Sequence, residues 1–260
     1  VNLLTTRPAS PDSPSCADGT PGSARSAVAA GGEAEQVSET DAKPDQDESA
    51  RLRAENDALK ATLQAERETN DARLKAVEAA VGDRPCIVTP ARSYSYAEVG
   101  DRTRRLANHL HANGLGCHTE REHLQGHESG QDHLAIYLHN GNEYLEAMLG
   151  SFKARVAPFN VNYRYVAEEL RYLLLDSNAS AVVVHSQFAP TLAEVLPDLP
   201  NLRVILQVPD ESGHDLLPGA VWYEDALAAA SSEKPPVEWS PDDLYILYTG
   251  GTTGMPKGVL

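Results

Sequence analysis

The chain is poor in cysteine. Cys16, Cys86 and Cys117 are odd in number and far apart, which argues against a disulfide framework and for a reducing compartment, so a cytoplasmic location is expected. It also lacks any apolar run long enough to span a membrane. Its first residues, VNLLTTRPASPDSPS, have no basic stretch followed by an apolar core, as a secretory leader would. Basic charge is scarce as well: 22 Lys and Arg stand against 38 Asp and Glu, for a net charge of −16. That balance argues against nonspecific nucleic-acid or anionic-membrane partners. Aliphatic and aromatic residues are almost missing from residues 1–50 after Leu4, where nine acids face three bases. Such a segment cannot bury enough surface to offset its conformational entropy, so a disordered acidic tail is expected there.

What is present begins with composition suited to a helix. Residues 51–80 are rich in Ala, Glu, Arg, Leu and Lys and contain neither Gly nor Pro. Leu52, Leu59 and Leu63 lie near heptad spacing before the pattern drifts through Asn70 to Leu74, Val77 and Val81. Two readings stay open: a short coiled coil that dimerises the protein, or an exposed single helix. Gly82 stands where a helix C′ residue is expected.

Beyond residue 81, short apolar strands alternate with amphipathic helices. Cys86 to Val88 reads as a strand, and Ser95 with Glu98 three residues on reads as a capping box. The helix it opens presents Val99, Leu106, Ala107 and Leu110 on one face and closes at Gly114. Leu134, Ile136 and Leu138 mark a strand. Tyr144, Leu145, Met148, Leu149 and Phe152 form the predicted inward face of the next helix. Pro158 makes the following segment an edge strand or extended connection. Val166, Leu170, Leu173 and Leu174 mark another helix, and residues 181–184 a fully apolar strand. Residues 191–196, 202–208, 222–230 and 243–248 continue the alternation, which predicts parallel βαβ units and an α/β class. Residues 117–133 are rich in histidine (His118, His123, His127, His133), but no Cys pair has structural-zinc spacing. A surface insertion is the expected reading, with a metal site as its alternative. Tyr163, Arg164 and Tyr165 are expected in solvated or capping roles rather than on a ligand.

The last sixteen residues, YILYTGGTTGMPKGVL, carry the strongest signal. An apolar run over residues 244–248 predicts a buried strand leading into a loop suited to polyphosphate. Gly250, Gly251 and Gly254 let backbone N–H groups converge on an anion. Thr249, Thr252 and Thr253 add hydroxyl donors, Lys257 adds a positive charge, and Pro256 stiffens the exit. The order is not that of a nucleotide-triphosphatase P-loop, because Lys257 precedes Gly258 and apolar residues follow. The chain is therefore predicted to leave the loop extended.

The run from Thr249 to Gly258 resembles the phosphate loop of the AMP-forming adenylate superfamily, with Gly250 where many members carry serine. AVGDRPCIV, RSYSYAEV and the strand–helix alternation that follows are similar to the amino-terminal part of bacterial acyl-CoA synthetases. The resemblance implies a partial amino-terminal domain of the acyl-adenylate-forming fold over residues 81–260. It implies that Thr249, Gly250, Gly251, Thr252, Thr253, Gly254 and Lys257 hold ATP phosphates. In such enzymes ATP with Mg2+ activates a carboxylic acid as its adenylate, and coenzyme A then displaces AMP. The adenine, hinge and catalytic-lysine motifs follow the phosphate loop in that family, and none is read before Leu260. The expectation is a truncated ligase with no catalytic residue of its own, which meets a carboxylic acid substrate only if the missing part is supplied. The alternatives are a helix-mediated interaction module and a weak ATP-binding protein. Within the family, the segment over residues 134–176 leans toward fatty-acid or steroid-side-chain ligases.

Overall fold

The computed structural model describes residues 46–251 and 254–259, so most of the predicted acidic tail lies outside the described residues. The chain divides into two compact units with the boundary between Lys75 and Ala76. Up to that boundary the described chain is a single element, the first part of helix α1 (Gln46–Val81). The helix starts a few residues earlier than its composition predicts. Gly82 follows it directly but does not take the left-handed conformation.

The larger unit opens with a two-stranded antiparallel ribbon, β1 (Pro85–Val88) and β2 (Ser93–Ser95), in which Ile87 faces Tyr94. Ser95 then caps α2 (Tyr96–Ala112) with the predicted box: its Oγ accepts from the Glu98 N–H at 3.2 Å, and Glu98 Oε2 accepts from the Ser95 N–H at 2.7 Å. At the other end Gly114 adopts φ +74°. There the N–H of Leu115 bonds the Leu110 carbonyl and that of Gly114 the His111 carbonyl, the paired bonds of a left-handed C-cap.

Five parallel strands form the central sheet: β3 (His133–Tyr137), β4 (Ala157–Asn160), β5 (Ala179–His185), β6 (Val204–Val208) and β7 (Val221–Trp222), in the order β4-β3-β5-β6-β7. Helices α3 (Asn142–Lys153), α4 (Ala167–Asp176) and α5 (Ala189–Val195) make the crossovers, and α6 (Tyr223–Ala229) follows β7. The period-two alternation of the strands divides the core. Leu134, Ile136, Ala181, Val183 and Leu206 join α2, α3 and α6 on one face. Ala135, Tyr137, Phe159, Val182 and Val184 join α4 and α5 on the other. Both faces of β3 are thus covered, as a parallel sheet requires, and the fold is α/β. Each fully buried aliphatic side chain contributes about 1.5–3 kcal/mol.

The face of α3 differs from the prediction. Leu145 and Leu149 remain 42% and 41% exposed, and Asn142, Glu146, Ala147, Gly150 and Ser151 turn inward. Two contacts select that face. A Cβ on Gly150 would come within 2.7 Å of Leu106 Cδ2, so α2 and α3 cross closely over a glycine. Glu146, fully buried, accepts from Arg102 Nε at 2.7 Å, Arg102 Nη2 at 3.0 Å and the Tyr223 hydroxyl at 3.0 Å. Burial alone would draw the Arg102 guanidinium down, but its hydrogen bonds to Glu224 and Glu146 push it well above its ordinary value. The Arg102 guanidinium therefore stays charged inside the helix interface. Val166, expected inward, is exposed and stands as the N-cap of α4, its N–H donating to Glu169 Oε2 at 3.1 Å. Among the described residues no helix is long and apolar enough to cross a membrane.

Candidate functional site

The Gly/Thr-rich stretch forms an antiparallel hairpin of β8 (Leu247–Gly251) and β9 (Gly254–Val259). The exit from the turn is extended, as the sequence predicts. The strand before the turn starts later than residue 244 and is half solvated rather than fully buried, because among the described residues only Ile246 pairs its backbone with the large sheet. Its N–H donates to the Pro158 carbonyl at 3.1 Å, and it bridges Phe159 in parallel at the sheet's β4 edge while fully buried. Pairing of β8 with β9, not with the sheet, then carries the chain.

Register sorts the hairpin's side chains. Thr249 faces Lys257 and Tyr248 faces Gly258, and directly opposed residues in an antiparallel pair share a face. Thr249 and Lys257 are exposed, whereas Gly258 is buried and Tyr248 half-buried. One face thus holds the hairpin to the domain and the other presents a hydroxyl beside an ammonium. A register irregularity between Thr249 and Gly251 adds local twist just before the tip. Gly250, Gly251 and Gly254 lie in the strand backbone flanking the tip. Thr252 and Thr253 lie outside the described residues.

The domain-facing side is anchored by groups that sequence reading missed. The Tyr248 hydroxyl donates to Asp176 Oδ2 at 2.9 Å, and its ring lies 5.8 Å from that of Phe159. Burial and the Asp176 carboxylate both push the Tyr248 hydroxyl far up, so it stays a donor. The Tyr172 hydroxyl donates to the Pro256 carbonyl at 3.0 Å, which ties α4 to β9. Upstream, Tyr245 accepts at its hydroxyl from Asn160 Nδ2 at 2.8 Å, and its ring stands 6.3 Å from Phe152.

The approach to the hairpin is fixed at Asp243. Arg155, at φ +56°, donates through Nε to Asp243 Oδ1 at 2.9 Å and through Nη1 and Nη2 to Glu120 at 2.7 and 2.9 Å. Gln131 donates to Asp243 Oδ1 at 3.3 Å and accepts from the Leu244 N–H at 2.7 Å. The Glu120 hydrogen bonds raise the Arg155 guanidinium further, against burial and with help from Asp243. The same bonds hold the Glu120 carboxyl below its usual range. The histidine-rich insertion, closed by a bridge between Cys117 and Gln131, thus supplies two clamps, Glu120 and Gln131, for the chain entering the hairpin. Its histidines serve locally. His118 Nε2 pairs with Asp132 at 2.6 Å, and His133 bonds the Ser177 carbonyl and Ser129 Oγ. Among the described residues no three His, Cys, Asp or Glu side chains converge as metal ligands. Tyr163 packs 4.8 Å from the His139 ring, and the Arg164 guanidinium lies 5.4 Å from the Tyr163 ring. That cluster is remote in sequence and pairing from the hairpin.

Comparison with known proteins agrees with this architecture. Over 186 residues the chain is 63% identical to the medium-chain acyl-CoA ligase Mig of Mycobacterium avium, covering 72% of this chain and 34% of that protein. It is 41% identical over 182 residues to a Mycobacterium tuberculosis medium/long-chain-fatty-acid and 3-oxocholest-4-en-26-oate CoA ligase, covering 70% and 31%. The chain spans about a third of the length of these relatives. Among solved structures, ATP-bound MatB from Rhodopseudomonas palustris superposes with a TM-score of 0.53 at 28% identity, over 68% of this chain and 32% of that one. The family profile described as AMP-binding enzyme matches residues 74–260, the span that holds the parallel sheet, the clamps and the hairpin. By that match this chain belongs to the AMP-binding enzyme family.

Proposed function

We propose that residues 81–260 form the phosphate-loop part of an AMP-forming acyl-CoA ligase for medium- or long-chain fatty acids or related carboxylates, working in the cytoplasm. The observation that carries this reading is the hairpin register, which sets the exposed Thr249 hydroxyl beside the exposed Lys257 ammonium. The identity to medium-chain acyl-CoA ligases supports the substrate class. A carboxylate is a poor electrophile, so such a ligase first exchanges the pyrophosphate of ATP for the acyl oxygen and then lets the thiol of coenzyme A displace AMP. The hairpin's share is electrostatic. Lys257 and Thr249, with the backbone N–H groups of Gly250, Gly251 and Gly254 and the hydroxyls of Thr252 and Thr253, neutralise and orient the β- and γ-phosphates so that pyrophosphate departs. Mg2+ would be carried by the phosphates that these residues hold and would supply further charge neutralisation there. The matched span corresponds to about a third of the relatives' length, and the roles of holding adenine, forming the hinge and supplying the catalytic lysine are assigned to the remainder of such a ligase.

Titration with Mg-ATP tests the assignment. Lys257→Ala removes one charge-assisted contact, and a loss of about 1.4 kcal/mol, roughly tenfold in Kd, is expected. No carboxylate-dependent ATP–pyrophosphate exchange is expected from this chain alone. Equal ATP affinity in the wild type and Lys257→Ala refutes the phosphate role, and measurable exchange refutes the division of labour. A second reading, an interaction module whose helix over residues 51–80 pairs with a partner, is favoured by one observation. Leu52, Leu59 and Leu63 are exposed along α1.

A further inference from the structure

Helix α1 carries an apolar seam that nothing in its own unit covers among the described residues. Leu52, Leu59 and Leu63 are 59%, 59% and 45% exposed. With Leu52 and Leu59 at d, Leu63 falls at a, and so do Asn56 and Asn70. The flanking positions of the first heptads are charged with opposite sign, Glu48 and Glu55 at g against Arg53 and Lys60 at e, whereas Thr62 and Thr69 take the later g positions. We propose that residues 48–70 pair with the same residues of a second copy as a parallel, in-register, two-stranded coiled coil.

Charge complementarity selects the partner and the orientation. In a parallel pair, g of one helix meets e of the next heptad of the other, so Glu48 faces Arg53 and Glu55 faces Lys60 across the interface, twice each by symmetry. An antiparallel pair sets g against g and e against e, which opposes Glu to Glu and Arg to Lys. The exposed Lys60–Asp57 contact within the helix, at 4.0 Å, is too weak to compete. Asn56 meets its own copy only in the parallel, in-register arrangement, where the two amides can bond each other; this costs stability but fixes register and a two-stranded state. From Glu66 at d the seam loses its apolar character, so the pairing is confined to the first heptads and is reversible.

Sedimentation equilibrium of the full chain between about 5 and 200 μM reads the proposal directly. The expected mass rises toward twice the 28.0 kDa of one chain. The Leu59→Asp variant, exposed and outside the α/β core, should stay at the monomer mass with an unchanged far-UV spectrum in the sheet-bearing unit. For orientation, the Asn56→Cys variant should form an intermolecular disulfide joining two copies of the peptide around position 56 under mild oxidation. The double variant Glu48→Lys/Glu55→Lys should lose self-association. Mixing it with the Arg53→Glu/Lys60→Glu chain should restore dimers. A monomeric wild type, a trimer, association untouched by Leu59→Asp, or no disulfide at position 56 in a dimeric sample each overturns the proposal.

Discussion

Arg155 offers the sharpest test of how the hairpin is held. Its side chain is 13% exposed and that of Asp243 10%, whereas Glu120 is 52% exposed. Removing one partner of a fully buried ion pair costs roughly 3–5 kcal/mol. In Arg155→Ala, Asp243 keeps the Ser240 N–H at 2.9 Å and Gln131 at 3.3 Å. The cost should therefore fall to about 2–3 kcal/mol, nearly all of it from Asp243, because the Glu120 arm is screened by solvent. For a domain of this size that is a fall in Tm of about 5–10 °C. Backbone strain can be separated out, because φ is +56° at Arg155. Arg155→Gly should lose less than Arg155→Ala by about 1 kcal/mol, since glycine carries no penalty in the left-handed region. Urea unfolding of the single and double variants closes the cycle. Coupling of Arg155 to Asp243 should exceed about 1.5 kcal/mol and should be clearly larger than its coupling to Glu120. Equal couplings, or an Asp243 coupling near zero, would refute the argument that burial makes this the anchoring bond. Mg-ATP affinity should weaken in step with the Asp243 coupling, because Asp243 precedes the residues that carry Ile246 into the β4 edge.

Two further outcomes follow from the same geometry. Gly150→Val forces α2 and α3 apart at Leu106 and should cost about 2–3 kcal/mol, read as a lower urea midpoint; a neutral result would mean the helices slide freely. Stability should also fall on acidification in two stages. Burial holds the His133 ring below its ordinary 6.5, against the Ser177 carbonyl and Asp132, and burial does the same at His109 and His185. The unfolded chain therefore takes up these protons first, and stability present above pH 6.5 declines below it. At Asp132 burial is outweighed by hydrogen bonds from His118, Ser180, Gly116 and Arg203, which hold the carboxyl below 3.8, so a further loss sets in as pH falls through that value. A urea midpoint flat from pH 7.5 to 5, or an undiminished slope in His133→Asn, would contradict the assignment.

Much of the architecture was written in local pattern. The Ser95–Glu98 box, the stop at Gly114, the β-branched run of β5 and the edge position forced by Pro158 each depend on a few adjacent residues. Hydrogen bonding and sterics act there over one turn or one pleat. The composition from which the phosphate role is proposed, small, hydroxyl and cationic groups between Thr249 and Lys257, is local in the same way, confined to one short run.

What the tertiary structure alone decided depends on residues far apart in the chain. Arg155 meets Asp243, Asp176 meets Tyr248 and Glu146 meets Tyr223 only because the crossovers bring them together, and no periodicity foretells which charge will find which partner. The inward face of α3 went to small and polar residues rather than to the leucines, since close approach over Gly150 and the charge on Arg102 outweighed aliphatic burial. The late start of β8 has the same origin. Hydrogen-bond partners for its backbone come from β9, and among the described residues the large sheet offers the incoming backbone only the bridge at Ile246.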